Sequence, residues 1–343
     1  MKLDTSGIDQ EQLAHFVDAA YALDIVALSF QPKGEASYSY LATERSGARW
    51  LIKVQETARL VELELRLRAV RFVHAAGGLT QVVVPRHTRW GECTCRFAHY
   101  TVTVYPFIEG DTLEPGRQTD AYVSRLAALL AAFHAQGSRL PFPIPRETFD
   151  NPFEAPILHA LRIVQRRGQP DNPVKARLRD LLLAQRADIF TTLEKMRQLK
   201  GAVRNLDLDW VLTHGDPTWA NVLVDRSNTF HLLDWDDLAL GPAERDLVFA
   251  SDWGPERFEA FLRQYMVSRG PVRLHPQVFA FYQYRWIVQE IADYTTRILF
   301  RNVDPAEDAH AWAELQPYVP AYHADIAAGV RQVEEILGHL AKG

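Results

Sequence analysis

The residues with the most chemistry in their types and spacing are Asp216, Asn221 and Asp234. They lie in Thr213-His214-Gly215-Asp216-Pro217-Thr218-Trp219-Ala220-Asn221 and, thirteen residues further on, Asp234-Trp235-Asp236-Asp237. A carboxylate, an amide oxygen five residues later and a second carboxylate beyond a hairpin converge on one point if the hairpin folds under the loop. Those are the donors that phosphoryl transfer needs. Mg²⁺ takes hard oxygen ligands and keeps several waters, so Asn221 and Asp234 suffice as its protein ligands once nucleotide phosphates complete the shell. Asp216, at the start of the loop, is placed to accept the proton of an acceptor hydroxyl or to orient it. His214 is expected to pack and hydrogen-bond beneath the loop instead of serving as the base.

The elements that must hold these residues follow from the apolar pattern. An opening helix over residues 9–21 precedes three strands at 25–30, 38–43 and 49–54, separated by Lys33-Gly34 and Ser46-Gly47 turn signals. Leu60, Leu63, Leu67, Val70 and Val73 then recur at helical spacing until Gly77-Gly78, and further strands are expected at 81–84 and 96–105. Beyond Pro106 the pattern turns helical, at 122–134 and along a single stripe over 174–199, after a Pro-rich loop at 141–156. Two short apolar runs, 221–224 and 230–234, flank the turn signal Asp225-Arg226-Ser227-Asn228 and predict a β-hairpin inside a helical region. Helices resume at 256–267, at 277–300 and near the end of the chain. The expected organisation is α+β in two lobes: a β-rich lobe over 1–106 and a mainly helical lobe over 107–343, with a helical insertion at about 151–205.

Composition removes several classes. The 38 Lys+Arg against 43 Asp+Glu give a net charge of −5, and no basic block reads as a nucleic-acid surface. Apolar runs such as 126–134 stop at about half the ~18 residues a membrane span needs. The start, with Asp4 and Asp9, lacks an export pattern, which makes a cytoplasmic location the expectation. Cys93 and Cys95 lie one residue apart in a strand-like stretch and are read as structural instead of metal-binding.

The His-Gly-Asp-x4-Asn loop followed by a hairpin and Asp resembles the catalytic and metal-binding motifs of the aminoglycoside phosphotransferases and the related choline kinases, which share a protein-kinase-like fold. The strand Trp50-Leu51-Ile52-Lys53 is similar to the third strand of the kinase small lobe, whose lysine holds the α- and β-phosphates of ATP. Glu64 on the following helix looks like the ion-pair partner of that lysine, with Glu62 as the alternative. Thr103 to Gly110 resembles the hinge whose backbone pairs with adenine, with Val104, Tyr105 and Phe107 as its residues. The phosphate loop carries only Gly34 where protein kinases have G-x-G-x-x-G, which favours the small-molecule kinases. Ser37 could offer a hydroxyl to the phosphates, and by analogy Asp246 buttresses the catalytic loop.

Two stretches, 234–247 and 281–294, look closest to the spectinomycin-phosphorylating branch of that family. Charge points the same way, because residues 206–300 hold fourteen Asp/Glu against eight Lys/Arg. A surplus of this kind attracts an acceptor bearing amines. Asp236 and Asp237 beside the metal ligand, and Glu290 and Asp293 on one helix face, are candidates to meet such amines, with Trp219 and Trp286 offering aromatic faces. The implied activity is transfer of the γ-phosphate of ATP, with Mg²⁺, to a hydroxyl of spectinomycin or another aminocyclitol or aminoglycoside. The alternatives are a housekeeping kinase for choline, a sugar, homoserine or a protein hydroxyl, and, from another class, a nucleotide-binding regulator without turnover.

Overall fold

The computed structural model describes residues 7–32, 37–56, 60–113, 119–166, 172–319 and 323–341. Gly34 of the expected phosphate loop lies outside them. Helix α1 (Gln10–Tyr21) starts where the Asp9 carboxylate accepts the N–H groups of Glu11 and Gln12. Strands β1 (Ile25–Gln31), β2 (Tyr38–Glu44) and β3 (Arg49–Glu56) follow, then α2 (Leu60–Ala75), β4 (Thr94–Phe97), β5 (Tyr100–Pro106) and β6 (Gly110–Thr112). Helix α3 (Asp120–His134) is capped by Thr119 and leads to α4 (Glu154–Arg166), α5 (Pro173–Ala184) and α6 (Arg186–Val203). Next come β7 (Trp210–Thr213), β8 (Val222–Asp225), β9 (Phe230–Leu232) and β10 (Ala239–Pro242). The remaining helices are α7 (Glu244–Leu247), α8 (Pro255–Arg269), α9 (Pro276–Thr296), α10 (Pro305–Leu315) and α11 (His323–Leu340).

The chain forms two compact units. The first comprises residues 1–146, 210–249 and 260–271, so it joins the β-rich start to the strands that flank the His-Gly-Asp loop, a grouping different from a cut after residue 106. Its main sheet is antiparallel in the order β1-β2-β3-β5-β4, with Lys53 on β3 opposite Ser39 of β2 and Thr103 of β5. Leu13, Val17 and Tyr21 of α1 pack with Tyr40, Ile52, Val54, Val102 and Val104 in one core, which fixes β3 as a rigid platform. A second sheet, β6-β8-β9, carries the hairpin before Asp234, and β7 pairs with β10. The second unit comprises residues 147–209, 250–259 and 272–343. Helix α9 is its axis and packs against α4, α6, α10 and α11, with apolar side chains buried along most of its length.

Several elements differ from the expectation. Residues 81–84 form only a single parallel bridge, Val82 to Leu232, and Pro85 follows directly. The strand expected over 96–105 is a hairpin, β4 and β5, turned at Ala98 with φ +53°. The stripe over 174–199 is broken at Gln185 into α5 and α6, each helix burying its own share of the apolar residues. No helix among the described residues is long and apolar enough to cross a membrane.

Candidate active site

The first unit assembles the candidate site on three supports. Strand β3 supplies Lys53, the loop after β7 supplies Asp216 and Asn221, and the segment after β9 supplies Asp234, Asp236 and Asp237. Lys53 Nζ donates to Asp234 Oδ1 and to Asp236 Oδ2, both at 2.8 Å. Asp234 adopts φ +64°, a left-handed conformation that a non-glycine residue holds only under constraint from its surroundings. Burial works to raise the Asp234 carboxyl, but the Lys53 ammonium outweighs it and holds the group below its ordinary range. Asp236 goes the other way: burial and the neighbouring Asp234 charge raise it despite Lys53.

Asp216 is locked by Asn221, whose Nδ2 donates to its backbone oxygen at 2.9 Å and to its Oδ2 at 2.8 Å. Its Oδ1 is buried and accepts no hydrogen bond among the described residues. Burial, then the Asp234 and Asp237 charges, push its carboxyl up to about 7. The site therefore concentrates carboxylates around one ammonium, and the group without a cation partner takes up the strain.

Beneath the loop lies a buried polar scaffold. The Asp246 carboxylate accepts the N–H groups of His214 and Gly215, both at 2.7 Å, and His134 Nε2–H at 2.9 Å. His134 Nδ1 lies 2.7 Å from the Tyr265 hydroxyl. His214 Nε2 donates to the Leu233 carbonyl at 2.7 Å, while its Nδ1 accepts the Asp216 N–H at 3.2 Å. Those two bonds fix one neutral tautomer, and burial lowers the imidazole's pKa, so His214 is a strut between the loop and the hairpin. Gly215 is demanded by its place: at φ +98° an added Cβ would lie 2.6 Å from both Arg245 terminal nitrogens. Arg245 itself donates to Thr213 Oγ1 and to the Asp237 carbonyl.

Three expectations are corrected here. Glu64 is not the partner of Lys53. Its two oxygens accept the N–H groups of Cys93 and Thr94 and the Thr94 hydroxyl at 2.8–3.1 Å, fastening α2 to β4. Glu62 pairs with Arg66 at 3.6 Å. Asp236, expected among residues meeting an acceptor, pairs with Lys53. The backbone of the three hinge residues is also engaged. The Val104 carbonyl accepts from Arg86, the Phe107 N–H donates to Arg49, and Tyr105 faces Leu51 across the ladder. Because bonded pairs alternate along an antiparallel ladder, the Arg49–Phe107 bond turns the Pro106 carbonyl away from β3.

Among the other candidates, Ser37 is buried at the start of β2, and Trp219 is buried in the loop beside Asp216. Trp286, Glu290 and Asp293 all lie on α9 in the second unit. Asp293 pairs with Arg297, and Trp286 donates to the Tyr318 hydroxyl, which also lies near the Glu290 charge. Residues that the sequence reading missed are His134, Tyr265, Arg245, Arg66 and Trp235. The one available signal was Trp235 between two acidic residues: its indole N–H donates to the Val83 carbonyl at 2.7 Å in the core.

A two-lobe kinase-type fold holding one lysine, a His-Gly-Asp loop and a second acidic segment defines a phosphotransferase. Residues 29–282 match the APH phosphotransferase enzyme family, and the chain belongs to it. Protein StrN of Streptomyces griseus is 29% identical over 311 residues, covering 87% of this chain and 88% of that protein. The crystal structure of spectinomycin phosphotransferase in complex with ADP and spectinomycin superposes with a TM-score of 0.75 at 21% identity, covering 95% of this chain and 100% of that one. The choline kinase LicA from Streptococcus pneumoniae superposes at 0.54 with 14% identity, covering 91% of this chain and 99% of that one.

Proposed function

We propose that the protein transfers the γ-phosphoryl group of ATP to a hydroxyl of a small cationic acceptor, an aminocyclitol or aminoglycoside such as spectinomycin. The observation that carries this reading is Asp216, whose Oδ1 is buried with no hydrogen-bond partner among the described residues while its Oδ2 is clamped by Asn221. A carboxyl pushed up to about 7 is near the proton affinity a general base needs at neutral pH. Asp216 orients the acceptor hydroxyl and takes its proton as the oxygen attacks. Lys53, carried on the rigid β3 platform, binds the α- and β-phosphates, and the segment around Pro106 and Phe107 takes the adenine.

The family implies Mg²⁺, and the donor set fits it. With Nδ2 turned to Asp216, the Asn221 Oδ1 faces away and accepts no hydrogen bond among the described residues, and the Asp234 side chain is 45% exposed. Two hard oxygens without a full protein cage match a cation that keeps waters and phosphate oxygens. When bound, Mg²⁺ offsets the charge on the phosphate oxygens during transfer. The acceptor preference rests on the likeness to spectinomycin phosphotransferase and on the acidity of residues 206–300. Trp219 and Asp237, beside Asp216 in the first unit, are the side chains we assign to it.

The test is ADP release from Mg·ATP with spectinomycin, several aminoglycosides, choline, homoserine and simple sugars, with Asp216→Ala as the blank. Turnover with an aminocyclitol or aminoglycoside alone is expected, and Asp216→Ala should fall at least ~100-fold. Turnover confined to choline, homoserine or sugars would move the acceptor assignment. A variant keeping over about a tenth of wild-type kcat would refute Asp216 as the base.

A further inference from the structure

In this chain the helix glutamate that the family pattern offers to the nucleotide lysine is used elsewhere. Each Glu64 oxygen accepts from the backbone at the start of β4, and the Thr94 hydroxyl donates to Oε2 as well. A carboxylate satisfied by four short bonds within its own element pair has no reason to leave them for an ammonium. Lys53 is nevertheless largely buried, with only 13% of its side chain exposed, and an ammonium in that position requires a fixed anionic partner. Two are in contact, Asp234 and Asp236, each at 2.8 Å.

They are not equivalent. Asp234 is the residue assigned above to a cation, so its oxygens have a competing use when nucleotide is bound. Asp236 has no such use and sits on a segment fastened on both sides of it. On one side, the Trp235 indole donates to the Val83 carbonyl in the core. On the other, Arg245 donates to the Asp237 carbonyl at 2.9 Å and Arg66 of α2 donates to the Leu238 carbonyl at 3.1 Å. Helix α2 therefore reaches the site through Arg66 and the backbone of the acidic segment, and that segment presents Asp236 to the lysine.

We infer that Asp236 is the positioning residue for Lys53, doing the work that the helix glutamate does in the family pattern, while Glu64 is a structural fastener. The assignment rests on the phosphotransferase reading above and concerns nucleotide binding alone. With Asp234 drawn away, Asp236 holds one of the three ammonium protons and leaves the others aimed at phosphate oxygens.

The experiment measures the affinity of the full-length protein for ATP without acceptor, by calorimetry, in Mg²⁺ and again in EDTA. The proteins are wild type, Asp236→Ala, Lys53→Ala, the double variant and Glu64→Gln, with melting temperature recorded for each. Asp236→Ala is expected to weaken ATP about tenfold in Mg²⁺ with an unchanged melting temperature, and by less than about threefold in EDTA, where Asp234 stays on Lys53. In the Lys53→Ala background the same substitution should change affinity less than about twofold, a non-additivity that a merely structural role would not give. Glu64→Gln is expected to lower the melting temperature and leave ATP affinity within about twofold.

Three results overturn the inference. Tighter ATP binding by Asp236→Ala would make Asp236 only a repulsive charge near the phosphates. A loss of about tenfold in Mg²⁺ that persists in the Lys53→Ala background would make it a cation ligand. A loss in Glu64→Gln matching that in Lys53→Ala would return the role to the helix. ATP binding by wild type without turnover of any acceptor sinks the proposed activity and leaves this assignment standing, whereas no ATP binding sinks both.

Discussion

Asp246→Asn is the sharpest probe of how the catalytic loop is held, because it changes one atom in a fully buried position. The wild-type carboxylate accepts three hydrogen bonds, from His214 N–H and His134 Nε2–H on Oδ2 and from Gly215 N–H on Oδ1. An asparagine keeps its single oxygen where two donors converge, which leaves its NH₂ facing the Gly215 N–H. Two buried donors then lack an acceptor, and at about 1–3 kcal/mol each a loss of about 3 kcal/mol is the expected scale. For a unit of this size that corresponds to a melting temperature lower by about 6–12 °C.

The same substitution should reach the chemistry, since Gly215 adjoins Asp216. Under the proposed mechanism, a displacement of the base by about an ångström costs on the order of 100-fold in kcat, while KM for ATP, which that proposal assigns to Lys53 and the hinge, stays near wild type. Burial works to raise the Asp246 carboxyl, but His134 and the neighbouring Arg245 charge hold it below its ordinary value. Its stabilising contribution is therefore complete above the unfolded value near ~3.9 and is lost as pH falls through the lower folded value. The gap between wild type and variant should accordingly close below about pH 4. Scanning fluorimetry across pH, combined with steady-state kinetics, reads both effects. A variant melting within about 2 °C of wild type with kcat within about twofold would show that these three bonds do not hold the loop.

Gly215→Ala should be the most damaging single methyl in the loop. Its Cβ would meet the Arg245 nitrogens at 2.6 Å and the Asp237 Cβ at 2.8 Å from a backbone at φ +98°, so kcat should fall at least ~10-fold, and wild-type turnover would refute the close packing. Because the Asp216 carboxyl is raised to about 7 and the proposed base must be deprotonated to act, kcat/KM should climb with pH through that value. A plateau already reached near pH 5 would contradict the base assignment. For a cationic acceptor, KM should rise severalfold between about 0.05 and 0.5 M NaCl, whereas salt-independent acceptor KM would point to a neutral sugar.

Much of the fold is legible in the chain because its signals are local. The two apolar runs on either side of Asp225 to Asn228 can bury their side chains only as a hairpin, and β8 and β9 form there, with Asn228 in the left-handed turn position. The candidate loop is legible for a similar reason, since the hydrogen bonds joining His214, Asp216 and Asn221 lie within eight residues. What stays hidden depends on partners far apart in the sequence. The β7–β10 pair joins residues 210–213 to 239–242, and nothing in a four-residue run announces its partner. Periodicity over 174–199 also runs straight through the break at Gln185, because both helices bury the same face.

The hardest distinction is between anions that differ only in where their oxygens already point. Glu62, Glu64, Asp234 and Asp236 are all within reach of a sequence argument that pairs Lys53 with an acid, and residue type does not rank them. Competing donors do. Glu62 has Arg66 one turn along its own helix, and Glu64 meets three backbone and side-chain groups at Cys93 and Thr94. Satisfying those bonds removes both from the lysine, and the acidic segment fills the place. An ion pair of this kind is decided by which carboxylate has least to give up, a quantity set by β4 and by the backbone around Trp235 and Leu238. Substituting Thr94 or Arg66 should therefore affect Lys53 only through the elements that carry its partners, which is why sequence spacing between Lys53 and any one acid carries so little information.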